Sequence, residues 1–238
     1  MEPAHCPEEA ALLKQLREIQ EILTTAINSL GCKIPPKAES RYLGYAAKSV
    51  NVATDAYALL RGAGRVDASK LLIRPMFDIV LSATAVAKKK GFLFRKAYTE
   101  LEEAKKMYEK NAANEAGAKK ALEDLKRRFR AEPSYPIECK RVDVRYTAEV
   151  AGLLPVYETA FRIYCEFTHS AMRAVQGQLN EATDPIDTTM VIWCVLTMLD
   201  HLKKHTPAKI PSLASFQSEV LKSQAAILGT QTGSAIKS

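Results

Sequence analysis

Apolar residues recur along this chain at intervals of three and four, the period of a helix buried on one side, and seldom alternate as a half-buried strand would. From Pro7 to Leu30 one stripe is held by Leu12, Leu16, Ile19, Leu23, Ala26, Ile27 and Leu30, and Gly31 with Pro35 and Pro36 ends it. A second helix is expected from Glu39 to Leu60, stopped at Arg61-Gly62-Ala63-Gly64. A third opens at Asp67, an N-cap residue type, and runs through Leu71, Leu72, Ile73, Met76, Phe77, Ile79, Val80 and Leu81 to Lys88-Lys89-Lys90-Gly91. It is apolar nearly all round, so it belongs at the centre.

From Leu93 to Arg130 the pattern becomes charge-rich. Leu101, Tyr108, Leu122 and Phe129 keep a seven-residue grid, which predicts a long helix or a helical hairpin broken at Asn111–Asn114. Glu132 to Asp143, with Pro133 and Pro136, reads as a connector. A short helix near Thr147–Gly152, a long one from Pro155 to about Leu179, another over Pro185–Lys204 and a last over Pro211–Leu228 complete the reading. The expected fold is therefore all-α: one helical domain over residues 1–228, a bundle of about six to eight helices, with a charged arm at 93–130, a connector at 132–143 and a flexible tail at 229–238.

Composition narrows the class. With 238 residues, 47% of them apolar, the chain can bury a sizeable core and is not disordered throughout. The most apolar stretch, Met190–Leu199, is about half the ~20 residues needed to cross a bilayer, so it reads as a core helix and no membrane is expected. Cys6, Cys32, Cys139, Cys165 and Cys194 form no CxxC pair and are odd in number, the usage of reduced thiols in a cytoplasmic protein. No basic-then-apolar leader opens the chain. GxxxxGK[ST], GxGxxG, HExxH and GxSxG are all missing, so no cofactor and no metal are expected.

The net charge of +7 is unevenly placed: Lys88–Arg145 holds 17 Lys/Arg against 10 Asp/Glu, leaving 17 against 17 elsewhere. Lys119, Lys120, Lys126, Arg127, Arg128 and Arg130 could track a phosphate backbone. The same charges also suit a solvated face whose acids and bases pair one turn apart.

The helix from Pro155 carries the best candidate chemistry. With Arg162 as origin and about 100° per residue, Glu158, Glu166, His169 and Arg173 all fall within about 40° of it. Val156, Ala160, Ile163, Phe167, Ala171 and Ala174 take the opposite side. Arg162 and His169 are about 10 Å apart along the axis, close enough for a guanidinium and an imidazole to hold one phosphate between them. Such a pair suits metal-independent RNA cleavage, the arginine holding the scissile phosphate and the histidine moving a proton. An ionic helix edge facing water would carry the same residues. Arg74 and Asp78, one turn apart in the apolar third helix, read either as a buried ion pair or as a support that orients His169. His201 and His205, also one turn apart, have the spacing of a metal pair but no acidic cluster near them, and so read as contacts to a helix C-terminus.

At Arg162–His169, RIYCEFTH, the chain resembles the HEPN superfamily of helical nucleotide-binding domains through its R-x(4–6)-H pattern. FRIYCEFTH together with RPMFD at 74–78 is more closely similar to an uncharacterised bacterial helical family, in which an Arg…Glu helix precedes a Tyr-Arg-x-x-Ser-x-x-x-His helix. Phe161, Cys165 and Asp78 stand here for the Tyr, Ser and Glu of that pattern. The resemblance implies an endoribonuclease of toxin or defence type, with Arg162 and His169 catalytic and Arg74, Asp78, Glu166 and Arg173 supporting. It implies RNA as substrate, an antitoxin or other protein as partner, and a homodimer that doubles the half-site of each chain. The alternative is a non-catalytic interaction module that binds a protein or nucleic acid through its basic arm.

Overall fold

Pro7 lacks the N–H that a first helical turn would leave unused, and Glu8 and Glu9 follow it at the positive end of the helix dipole. Helix α1 accordingly runs Pro7–Leu30. In the computed structural model, which describes residues 7–30, 37–111, 116–131, 142–161, 164 and 184–211, it is followed by α2 (Ala38–Gly62), α3 (Val66–Lys70), α4 (Ile73–Lys88), α5 (Phe92–Asn111), α6 (Ala116–Ala131), α7 (Val144–Ala151) and α8 (Leu154–Val156). A π-helical turn, Tyr157–Phe161, continues α8, and α9 spans Asp184–His205. No strand occurs among the described residues, and the all-α class read from periodicity holds. The expected helix at 211–228, the tail at 229–238, most of the connector and the later turns of the Pro155 helix lie outside the described residues.

Four helices, α1, α2, α4 and α9, make the body, and side-chain contacts fix their directions. Glu9 meets Arg61 and Thr24 meets Asn51, so α1 and α2 are antiparallel. Tyr57 meets Thr188 and the Ser40 hydroxyl donates to the His205 carbonyl, so α2 and α9 are antiparallel as well. Helix α4 runs parallel to α9: Phe77 stacks on Trp193 with ring centroids 5.3 Å apart, and Thr84 reaches His201 a full two turns on. Ile73, Met76, Phe77, Val80, Leu81, Ala83 and Ala85 of α4 are all fully buried, as its all-round apolar sequence requires. Met190–Leu199 likewise forms the buried middle of α9, and no described helix is long and apolar enough to cross a membrane.

The single helix expected from Asp67 is two. Pro75 has no N–H to give the carbonyl of Leu71, and its ring would collide there. The chain therefore turns at Leu71–Leu72 and starts again at Ile73, with Pro75 inside the tolerant first turn of α4. The charged arm is the hairpin that the seven-residue grid suggested. Only residues 112–115 separate α5 from α6, so the two pack antiparallel and the basic end of α6 returns beside the start of α5. Lys96–Glu100, Lys105–Glu109 and Arg127–Asp124 pair along its surface.

Helix α7 is held at both ends. The Asp143 carboxylate accepts from the Tyr146 N–H at 2.7 Å, and Gly152 closes the helix in the left-handed region at φ 68°. A side chain at 152 would be strained there and would also meet Lys88 Nζ at 2.8 Å. That ammonium donates to the Ala151 carbonyl and so ties α4 to α7.

His201 is a buried side chain of α9 bonded through Nε2 to Thr84 Oγ1 at 2.9 Å. Burial pulls its pKa from 6.5 down to about 4, so it sits in the core as a neutral imidazole and not as a cation at the helix end. The unfolded chain then takes up a proton below pH 6.5 that the folded chain refuses, and stability falls with pH between 6.5 and 4. From pH 7 to pH 5 this one group should remove about 2 kcal/mol. Urea unfolding of His201→Gln at the two pH values should lack that loss, and an unchanged pH dependence would mean that other groups cause it.

Candidate functional site

On α2 the positions 43, 47, 50, 54, 57 and 61 advance by alternate steps of four and three and face the core, which brings Arg61 in with Leu43, Ala47, Val50, Thr54 and Tyr57. The Arg61 side chain has no exposure at all. Its Nη1 lies 3.1 Å from Glu9 Oε1 of α1, its Nη2 donates to Asp187 Oδ2 of α9 at 3.1 Å, and its Nε donates to the Tyr57 hydroxyl at 3.1 Å. Lys70 of α3, equally buried, stands 3.4 Å from the same Asp187 oxygen. Tyr164 donates to Asp187 Oδ1 at 2.7 Å, and Tyr57 meets Thr188 at 3.0 Å. Two cations and two carboxylates thus cancel inside the body, each within reach of another. Burial, reinforced at Tyr164 by Asp187, pushes both phenols above their ordinary range, so they serve as neutral donors.

A second polar group lies one layer out. Tyr42 of α2, Asp78 and Ser82 of α4, Lys96 of α5, and Asp143 and Thr147 at the start of α7 line a cavity of about 360 Å³ together with Ile79, Leu81, Val142 and Val144. Burial raises the Asp78 carboxyl above the usual range, while Arg74 one turn earlier and Lys96 across the cavity pull it back. The Tyr42 phenol bonds Ser82 and is itself raised by burial. A carboxyl of raised pKa beside a hydroxyl pair holds its proton more readily than a free carboxylate, which is the condition for exchanging it with a bound molecule.

The third group is on the surface, where the arm leaves the body. Lys89 Nζ and Arg95 Nη1 donate to one acceptor, the Tyr146 hydroxyl, at 3.0 and 3.3 Å. The Lys89 hydrogen bond draws that phenol below its ordinary pKa, with Arg95 adding to the effect. Two cations held this close repel each other, and a bound anion would relieve the repulsion.

Of the residues singled out from the sequence, Asp78 lies in the cavity wall with Arg74 one turn before it on α4. Lys119, Lys120 and Arg127 are exposed on α6, Arg127 paired with Asp124, and Lys126, Arg128 and Arg130 belong to the same helix. Arg162, Glu166, His169 and Arg173 lie outside the described residues. Two neighbours bear on them. Glu158 pairs with Arg145 of α7 at 3.3 Å, and the uniform α-helical step that set it beside Arg162 does not run through the π-helical turn Tyr157–Phe161. Tyr164, within the RIYCEFTH segment, is buried on Asp187.

Residues 41–185 match DUF5677, a family of unknown function. The chain belongs to that family. No curated protein and no solved structure matches it. The matched stretch takes in α2 to the start of α9, and with it Arg61, Lys70, Arg74, Asp78, Tyr164 and the RIYCEFTH segment. Glu9 and Asp187, the two carboxylates of the buried network, lie on either side of it.

Sequence reasoning passed over Arg61, Glu9, Lys70 and Asp187, and also Lys89, Arg95 and Tyr146. The first set left a trace, since Glu9 and Arg61 fall in register with the apolar stripes of their helices. Charges at core positions require partners. Arg61→Leu, which leaves two buried carboxylates short of a cation, should lower the urea-unfolding free energy by about 3–5 kcal/mol. Tyr164→Phe, which removes one donor, should cost about 1–2 kcal/mol. Equal losses in the two variants would show that the charges do not depend on one another.

Proposed function

We propose that this protein binds RNA at the base of its arm and cleaves it without a metal, in the manner of HEPN-like ribonucleases. The observation that carries the binding half is the convergence of Lys89 and Arg95 on the Tyr146 hydroxyl. Two cations at one exposed oxygen form a seat for a phosphate, and the antiparallel arm returns Lys126, Arg127, Arg128 and Arg130 toward the same end of the hairpin. A strand following these charges would meet several phosphate contacts in succession.

The catalytic half rests on Arg162 and His169 in the RIYCEFTH spacing. In this reading the Arg162 guanidinium holds the scissile phosphate, and neutral His169 takes the proton of the 2′-hydroxyl as its oxygen attacks phosphorus. The 5′-oxygen leaves with a proton returned by an imidazolium or by water, giving a cyclic phosphate. Glu166 and Arg173 flank the pair by the same wheel, and Asp78 with Arg74 supports it from α4. A dimer doubles the half-site, and a neutralising protein partner of antitoxin type is part of the proposal. A second reading, an interaction module without chemistry, is favoured by the ion pairs along the arm, since Lys96–Glu100, Lys105–Glu109 and Arg127–Asp124 give its surface the character of a solvated face.

Labelled RNA incubated with the protein in EDTA separates the two. Cleavage that persists in wild type and disappears in His169→Ala and in Arg162→Ala supports the enzyme. Cleavage that both variants retain would remove those residues from the mechanism. RNA retention by both without any cleavage favours the module. Lys89→Ala/Arg95→Ala should weaken RNA binding and reduce the slope of log K against log salt by about 1, as loss of one or two phosphate contacts would. An unchanged slope would move the binding site elsewhere.

A further inference from the structure

Helix α2 turns one face to α1, α4 and α9, and none of the described residues buries its other face. On that outer face Tyr45, Leu59 and Val52 are 71%, 66% and 61% exposed, the three most exposed large apolar side chains among the described residues. All three belong to one helix, and they recur every seven residues. They stand within about 20° of one line along about 21 Å of helix. Apolar side chains scattered singly over a surface mean little, but three in line make a seam.

We infer that a second copy of this chain covers the seam with the same face, the two α2 helices lying antiparallel about a two-fold axis at Val52. The sequence of the face is self-complementary in that arrangement. Val52 is midway between Tyr45 and Leu59, so the axis sets Tyr45 against the partner's Leu59 and Val52 against the partner's Val52. Lys48 and Asp55, both exposed, flank the seam on one side, at about 40° and 60° from Val52. One precedes Val52 by four residues and the other follows it by three, so the same axis brings Lys48 opposite the partner's Asp55, and the reverse pair forms by symmetry. A parallel pair would bring the charged flank against the opposite flank, where Ser49 and Ala56 stand, and no ion pair would form. A seam of about four turns is smaller than a standard interface, which puts the dimer in the micromolar range. The inference rests on α2 alone and does not depend on the ribonuclease reading.

Sedimentation velocity of the full chain, in a concentration series up to about 100 μM, tests it. Wild type should pass from monomer to dimer within the series, and Val52→Glu should remain monomeric with unchanged circular dichroism. Lys48→Asp and Asp55→Lys, each of which sets two like-charge pairs across the axis, should each raise the dissociation constant at least about 10-fold. The double variant Lys48→Asp/Asp55→Lys restores opposite charges and should return to within about 3-fold of wild type. A wild type that stays monomeric overturns the inference, and if Val52→Glu then also melts at a lower temperature, the seam is covered by the chain's own residues. A double variant no better than the single ones overturns the antiparallel arrangement.

Discussion

Arg61 has no exposed side-chain surface, and the need to neutralise it governs how the helices of the body meet. A guanidinium taken out of water is tolerated only with its charge met, and three separate side chains meet it: Glu9 from α1 as an ion pair, and Tyr57 from its own helix and Asp187 from α9 as hydrogen-bond acceptors. Asp187 in turn needs more than one donor, and receives them from Arg61, Tyr164 and the ammonium of Lys70. None of these contacts can be half made without leaving a charge stranded in the core. The network therefore locks the register of α1, α2, α3 and α9 together, which apolar packing alone would leave freer to slide.

The same helix carries three different relations to its surroundings. Inward, α2 presents Arg61 and Tyr57 to the network; toward α4 it gives Tyr42 to the cavity that holds Asp78; outward it shows the line of Tyr45, Val52 and Leu59. Its centre of rigidity and its exposed seam are opposite sides of one element. A surface backed by a locked register presents its side chains in fixed positions, which is what recognition by a partner needs. The cationic cluster is similarly anchored. Lys89 follows α4, Arg95 is in the first turn of α5, and Tyr146 is on α7, whose ends are secured by Asp143 and by Lys88 on the Ala151 carbonyl.

Much of the fold was legible in the residues. The helix at Pro7–Leu30 is legible to the residue, the central position of α4 follows from its apolar circumference, and the hairpin is one of the two arrangements the seven-residue grid allows for the arm. Pro75, which by its missing N–H starts or kinks a helix, marks the interruption at Leu71–Leu72. The candidate site was legible only in part. Asp78 drew notice because a carboxylate in an apolar helix must be explained, and it does line a cavity. Arg61 and Glu9 broke their stripes in the same way, but near helix ends, where charged residues are common and raise no question.

Sequence alone determined the all-α class, the apolar stripes of the body helices, and that the cationic excess lies between Lys88 and Arg145, because periodicity and composition are properties of neighbouring residues. Tertiary structure alone decided that Arg61 meets Asp187 across 126 positions of chain, that Lys89 and Arg95 converge on Tyr146, and that Tyr45, Val52 and Leu59 stay exposed among the described residues. Pairing of charges distant in sequence, and the covering of one apolar face and not another, depend on which helices become neighbours, and no local pattern encodes that choice.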